Sequence, residues 1–386
     1  MTNKDAVSES EDMLEMEVED GEGVFDIDPD KEVVSTSYEI TSYGADYPVD
    51  SLVSRIERGD IVVPSFDPAF PDEDSDVRGF QRRFVWSGSQ MDKFVESLLL
   101  GLPVPGIFLV RDRKNKLLVL DGQQRLRTLQ AFYSGFRGER MFRLRQVQEP
   151  FAGRTYNELD DEDRRRLDDS IIHATVLRQE HEGANGEEGQ GSQNAVYSIF
   201  ERLNTGGSPL QPQEIRVALY NGPFLQGIAR LNEDQHWRAL YGPPSARFKD
   251  HELILRVLAL YEVPETYRRP VKTFLNDFLE GRKSSALGDD LSEPFRSATS
   301  IINKSVGAPA FRPVRPINAA VLDAVMVGTM HRTAQGDVQS PEQFAEAYRR
   351  LLRDNTFQEV TDSSTAAEES VSQRLRMATD AFSSVS

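Results

Sequence analysis

Residues 115–133 read NKLLVLDGQQRLRTLQAFY, and the break at Asp121-Gly122 decides how the first half of the chain folds. Residues 116–120 form an apolar run of strand length, whereas Leu126, Leu129, Phe132 and Tyr133 recur at helical spacing. The pattern predicts a buried strand, a tight turn and the opening of an amphipathic helix. A helix start presents unpaired backbone N–H groups at the positive end of its dipole, which suits an anion. Gly122 permits close approach to the backbone, and Arg125, one turn in, carries a planar fork matched to phosphate oxygens. The same residues admit a purely local reading. Asp121 with Gln124 has the form of a capping box, and Asp121 with Arg125 stands at ion-pair spacing. A carboxylate at the turn repels phosphate unless a divalent cation intervenes, so the ligand-binding version calls for Mg2+ with Asp121 at the metal or its water.

Outward from this junction the signals are those of an α+β core. Residues 61–63 and 106–111 read as strands, and a helix starting at Ser89 carries Met91, Phe94, Val95 and Leu98 on one side and stops before Pro103. Residues 142–147 and 171–177 read as further strands, with a charged helix over 156–168 between them. The acidic, glycine-rich stretch 182–194 marks an exposed loop. From Asn194 onward strand signals fade, and apolar residues at i, i+3 or i+4 accumulate in eight segments: 195–203, 213–220, 251–261, 271–280, 289–306, 317–332, 341–353 and 366–382. Such a series packs as an irregular all-helical half lying against the α+β part.

Composition bounds the alternatives. The chain has 386 residues, enough for two cores, and its net charge of −18 is concentrated at the start, where residues 1–32 hold 13 acidic groups against Lys4 and Lys31. That segment has too little apolar surface to fold alone and is expected to be a disordered acidic tail. Nonspecific duplex binding needs clustered Lys and Arg, which an acidic protein supplies only locally, as at Arg137–Arg145. The chain has no cysteine, which fits a reducing cytoplasm, and neither a signal peptide nor an 18-residue apolar run appears. P-loop, H-E-x-x-H and G-x-S-x-G signatures are absent, and the five histidines lack ligand spacing.

Two further segments carry polar residues beyond structural need. Residues 81–86, QRRFVW, read as an edge strand burying aromatics, with Gln81, Arg82 and Arg83 ahead of them. Residues 200–207, FERLNTGG, end a helix, with Arg202 and Asn204 more polar than a helix end requires. Glu214, just beyond, reads as a solvated helix face or as a second carboxylate for metal or water.

QRRFVW at 81–86, GLPVP at 101–105, DGQQR at 121–125 and FERLNTGG at 200–207 occur in one order that resembles the GmrSD-type restriction-enzyme N-terminal domain family, over roughly residues 45–386. The resemblance implies a ParB/sulfiredoxin-like small mixed-sheet core followed by the helical half. It divides the chain into an acidic tail (1–37), a nucleotide-binding α+β domain (38–193) and a helical domain packed on it (194–386). It further implies nucleoside-triphosphate binding by Gln81, Arg82, Gly122, Gln123, Gln124, Arg125, Arg202 and Asn204. Asp121 and Arg125 would be catalytic in an Mg2+-dependent hydrolysis, with Asp121 at the metal. Many relatives append a histidine-metal nuclease domain that this sequence does not display. The expected function is therefore a nucleotide-hydrolysing module of a bacterial anti-phage or modification-dependent restriction system, with modified DNA and a separate nuclease as partners. Two alternatives stay open: a non-hydrolysing nucleotide switch that recruits the nuclease, and a nuclease in its own right.

Overall fold

A computed structural model describes residues 24–25, 40–63, 86–111, 115–179, 197, 199, 212–220, 222–245, 247–313 and 316–385. The N-terminal half is built on a mixed five-stranded sheet of order β2-β8-β4-β5-β3. Its strands are β2 (Ile40–Pro48), β3 (Ile61–Val62), β4 (Ile107–Arg111), β5 (Leu117–Asp121) and β8 (Ile171–Gln179). The β2/β8 and β4/β5 pairs are antiparallel, and β4/β8 and β3/β5 are parallel. A β-bulge at Phe108/Leu109 brings Phe108 opposite Asp121. Helices α1 (Val49–Glu57), α2 (Gly88–Leu99), α3 (Gln123–Ser134) and α4 (Asp161–Asp168) accompany the sheet. A small hairpin of β6 (Phe136–Arg137) and β7 (Arg140–Met141) follows α3.

Side-chain alternation splits the sheet between two cores. Ile107, Leu109, Leu117, Val119, Ala174 and Val176 pack with apolar residues of α1, α2 and α3. Val110, Leu120 and Leu177 point the other way and join the core of the helical half. Strand β5 is thus covered on both faces, which is why its sequence is an unbroken LLVL rather than an alternation.

The helical half comprises α5 (Pro212–Leu219), α6 (Pro223–Asn232), α7 (Gln235–Tyr241), α8 (Lys249–Glu262), α9 (Val271–Glu280), α10 (Asp289–Ser305), α11 (Ala319–Thr333), α12 (Pro341–Arg353), α13 (Asn355–Asp362) and α14 (Glu368–Ser383). Helix α11 is central and is buried from Ala319 to Met330. At Gly328 it approaches α14 so closely that a Cβ would sit 2.7 Å from the Ala378 carbonyl carbon. Asp323, also on α11, accepts from Arg256 of α8 at 2.8 Å and Arg374 of α14 at 3.2 Å, so one buried carboxylate ties three helices together. Of the N-terminal tail only β1 (Val24–Phe25) is described, pairing in parallel with β9 (Ile317–Asn318).

Several local expectations need correction. Residues 142–147 form no strand: Phe142 and Leu144 are buried, but Leu144 exchanges backbone bonds with Gly153 and Arg154 in a loop, and Asp92 accepts the Arg145 and Gln146 amides. The helix expected over 156–168 is a 3-10 turn at Tyr156–Glu158 and then α4, because the Asp160 side chain caps the amides of Glu162 and Asp163. Strand β2, helix α1, and the short helices α6, α7 and α13 were not foreseen.

A second buried network holds α6, α7 and α8. Asp250 accepts from Asn232 (2.9 Å), Arg238 (3.1 Å) and the Ser245 amide (3.1 Å), and its other oxygen meets His251 Nδ1 at 2.9 Å. Burial pushes the Asp250 carboxyl up, but hydrogen bonding and charge from His251, Asn232 and Arg238 outweigh it and hold the pKa at about 2. A carboxylate depressed on folding stabilises above its unfolded pKa and loses that contribution as pH falls through the folded value. Wild type should therefore lose roughly 2 kcal/mol at this residue between about pH 4 and pH 2. Asp250→Asn should lack that acid-sensitive increment and be about 3–5 kcal/mol less stable at pH 7, as read from denaturant titrations at both pH values.

Candidate functional site

The site is built at the edge where β5 ends. The chain leaves the sheet at Asp121, reverses at Gly122 and enters α3 at Gln123. Gly122 is the helix N-cap with φ 97°, in the left-handed region. A Cβ there would also lie 2.4 Å from Ile107 Cγ2. Both the backbone angle and the contact with β4 therefore require glycine. Among the described residues no side chain caps the helix, and its first backward bond is Leu126 N–H to the Gly122 carbonyl at 3.0 Å, so the amides of Gln123, Gln124 and Arg125 precede it.

The capping box expected from Asp121 and Gln124 does not form. Gly122, not Asp121, occupies the N-cap, and Gln124 Oε1 instead accepts the Trp86 amide at 3.3 Å. The alternative ion pair does form: Arg125 Nη2 donates to Asp121 Oδ2 at 2.7 Å and to the Gly106 carbonyl at 2.9 Å. The pair is asymmetric, the Arg125 side chain being 14% exposed and that of Asp121 45%. Arg125 folds back over the turn, for a Gly122 Cβ would lie 3.4 Å from its Nε. A guanidinium at the positive end of a helix is electrostatically disfavoured, and Asp121 offsets it. Arg125 Nε and Gln123 Nε2 are buried with no acceptor among the described residues.

Helix α3 also fixes the chain on either side of residues 64–85. Buried Arg127 donates to the Val63 carbonyl at 2.7 Å, and Gln124 takes the Trp86 amide one turn earlier. Trp86 packs edge-on against Phe94, with centroids 5.5 Å apart. Gln81, Arg82, Arg202 and Asn204 lie outside the described residues, so of the expected binding set the structure brings together Asp121, Gly122, Gln123, Gln124 and Arg125. Glu214 is not a solvated helix face: it is buried in α5 and bonded to Arg247 at 3.0 Å. Its partner lies 33 residues downstream, and local spacing gave no sign of it. Among the described residues no group of three or more His, Cys, Asp or Glu is placed to hold a metal ion, and no helix is long and apolar enough to cross a membrane. Gly106 was likewise missed. Its carbonyl holds Arg125, and a Cβ would lie 2.7 Å from the His173 carbonyl oxygen, so the residue after the GLPVP motif must also be small.

Residues 50–221 match the GmrSD restriction endonuclease N-terminal domain family, and this stretch is a domain of that family. No curated protein matches the chain.

Two glycines with positive φ separate backbone strain from contact. Gly101 (φ 67°) has nothing within 4 Å of its would-be Cβ, whereas Gly122 has Ile107. Gly101→Ala should cost about 1–2 kcal/mol. Gly122→Ala should cost more, and thermal denaturation of the two variants side by side measures the difference.

Proposed function

We propose that residues 121–125 receive the phosphates of a nucleoside triphosphate, and that the protein is a nucleotide-dependent component of a bacterial restriction or anti-phage system. The restriction context rests on the family of residues 50–221. The nucleotide reading is supported above all by the uncapped start of α3, whose glycine cannot be replaced without collision and whose first amides precede the intrahelical ladder.

In this reading the amides of Gln123 to Arg125 donate to phosphate oxygens, and the buried Gln123 Nε2 supplies the side-chain donor now lacking an acceptor. Arg125 exchanges Asp121 for phosphate, gaining a bidentate partner suited to its fork. The exposed Asp121 carboxylate is then free to hold Mg2+ directly or through water. A single carboxylate completed by phosphates and water is a usual Mg2+ donor set, so the residues present fit the ion. When bound, Mg2+ would neutralise charge between Asp121 and the phosphates. Asp121 would orient the attacking water, and Gln81, Arg82, Arg202 and Asn204 would complete the nucleotide contacts.

A second reading, a nucleotide switch without hydrolysis, draws on strand β5, which has one face in each core. Here β5 relays occupancy at its end to the helical core on its far face, and a separate nuclease acts on modified DNA.

Calorimetric titration with Mg2+-nucleotides distinguishes these readings when paired with phosphate release. Binding should weaken about 10- to 100-fold in Arg125→Ala, the loss of one charge-assisted contact. Gln123→Ala should lose less, and Asp121→Asn should lose the dependence on Mg2+. Melting curves establish that each variant is folded. Binding without phosphate release selects the switch; a folded wild-type protein that binds no nucleotide in Mg2+ refutes both readings.

A further inference from the structure

The β6–β7 hairpin breaks two rules of sheet construction at once. Its Phe136 and Met141 are a cross-strand pair, yet they are 52% and 51% exposed and belong to neither core among the described residues. Its other pair sets Arg137 directly opposite Arg140, which places like charges at the distance where they repel. The hairpin is nonetheless firmly rooted. Phe142, the next residue, is buried and packs edge-on against Phe132 of α3 with centroids 5.3 Å apart, and its amide bonds to Gly135 at 2.9 Å. A ribbon that holds an exposed apolar pair, with no core for it to cover among the described residues, is the kind of local inconsistency expected where a ligand binds.

The chemistry of the ligand follows from the charges. Residues 136–145 hold four arginines against Glu139 alone, in a chain whose net charge is −18. Arg143 is committed to Glu158 at 2.5 Å, and Arg137 donates to the Trp86 carbonyl at 3.5 Å. Arg140 and Arg145 are exposed, and neither side chain has a partner among the described residues. Such a small cluster cannot neutralise enough phosphates to hold a duplex by charge alone. An exposed aromatic beside arginines instead suits a strand whose bases are accessible, where stacking adds what charge lacks.

We propose that this hairpin binds single-stranded DNA, with Arg140 and Arg145 on its phosphates and a base stacked on Phe136 beside Met141. The inference rests on the proposed function only for the choice of DNA as the strand; it uses a surface separate from the start of α3.

The test is fluorescence anisotropy of the full chain with a labelled oligonucleotide of about 20 nucleotides, single-stranded and as the matching duplex, from low to moderate salt. Wild type should prefer the single strand. Phe136→Ala should weaken binding about tenfold or more, and Arg140→Ala should lower the slope of log affinity against log salt by about 0.7. Ile171→Ala, at an equally exposed apolar residue (51%) outside the hairpin, should bind as wild type. Since all three side chains are exposed, melting temperatures should stay unchanged, and if Phe136→Ala melts earlier it is replaced by Phe136→Leu, which keeps apolar bulk and removes the ring. No binding of either probe, preference for the duplex, or Phe136 variants within twofold of wild type would overturn the proposal. Failure of the nucleotide titration with these losses intact would refute the nucleotide reading and leave the hairpin assignment standing.

Discussion

The contact between Gly122 and Ile107 is the constraint on which the first half of the molecule turns. Strand β4 passes so near the β5–α3 turn that no side chain fits at residue 122, and the left-handed backbone there lets the chain reverse from sheet to helix in one residue. Because glycine has no side chain to offer, the helix begins uncapped. The same tightness places the Gly106 carbonyl within reach of Arg125, so β4, β5 and α3 meet in one corner. The Asp121–Arg125 ion pair and a helix start without a side-chain cap of its own thus occupy the same corner.

From this corner two sets of contacts spread through the protein. Through Gln124 and Arg127, α3 holds the backbone at Trp86 and Val63; the Trp86 carbonyl in turn accepts from Arg137 of the hairpin. One residue thus touches the helix start with its N–H and the basic ribbon with its carbonyl. Tyr133 and Tyr156 both donate to Asp168, at 2.6 and 2.9 Å, and fasten the far end of α3 to α4. Burial together with the Asp168 carboxylate pushes both phenols up, which keeps them neutral donors.

What could be read from residues alone follows a physical division. The β5–α3 junction was legible because LLVL is covered on both faces and the helical spacing after it is strong. The Asp121–Arg125 pair was legible because it is local. Strand β2 was not: SYGADYP is largely polar, pairs along one edge only, and owes its nine residues of strand to β8 rather than to its own pattern. Glu214 misled for the opposite reason, since its burial depends on Arg247, a partner no window of local spacing contains. Helices α7 and α13 did announce themselves, through Asp234 and Asp354 at their caps, but each is too short for apolar periodicity to register.

Strand β5 has one side in each core, and that has an evolutionary cost. A sheet with one wet face can lend its module to other proteins, because the exposed side needs no matching. Here Val110, Leu120 and Leu177 are cut to fit a particular set of helices. Changes to the helical half are therefore answerable to the geometry of the DGQQR turn, and the two must diverge together or not at all.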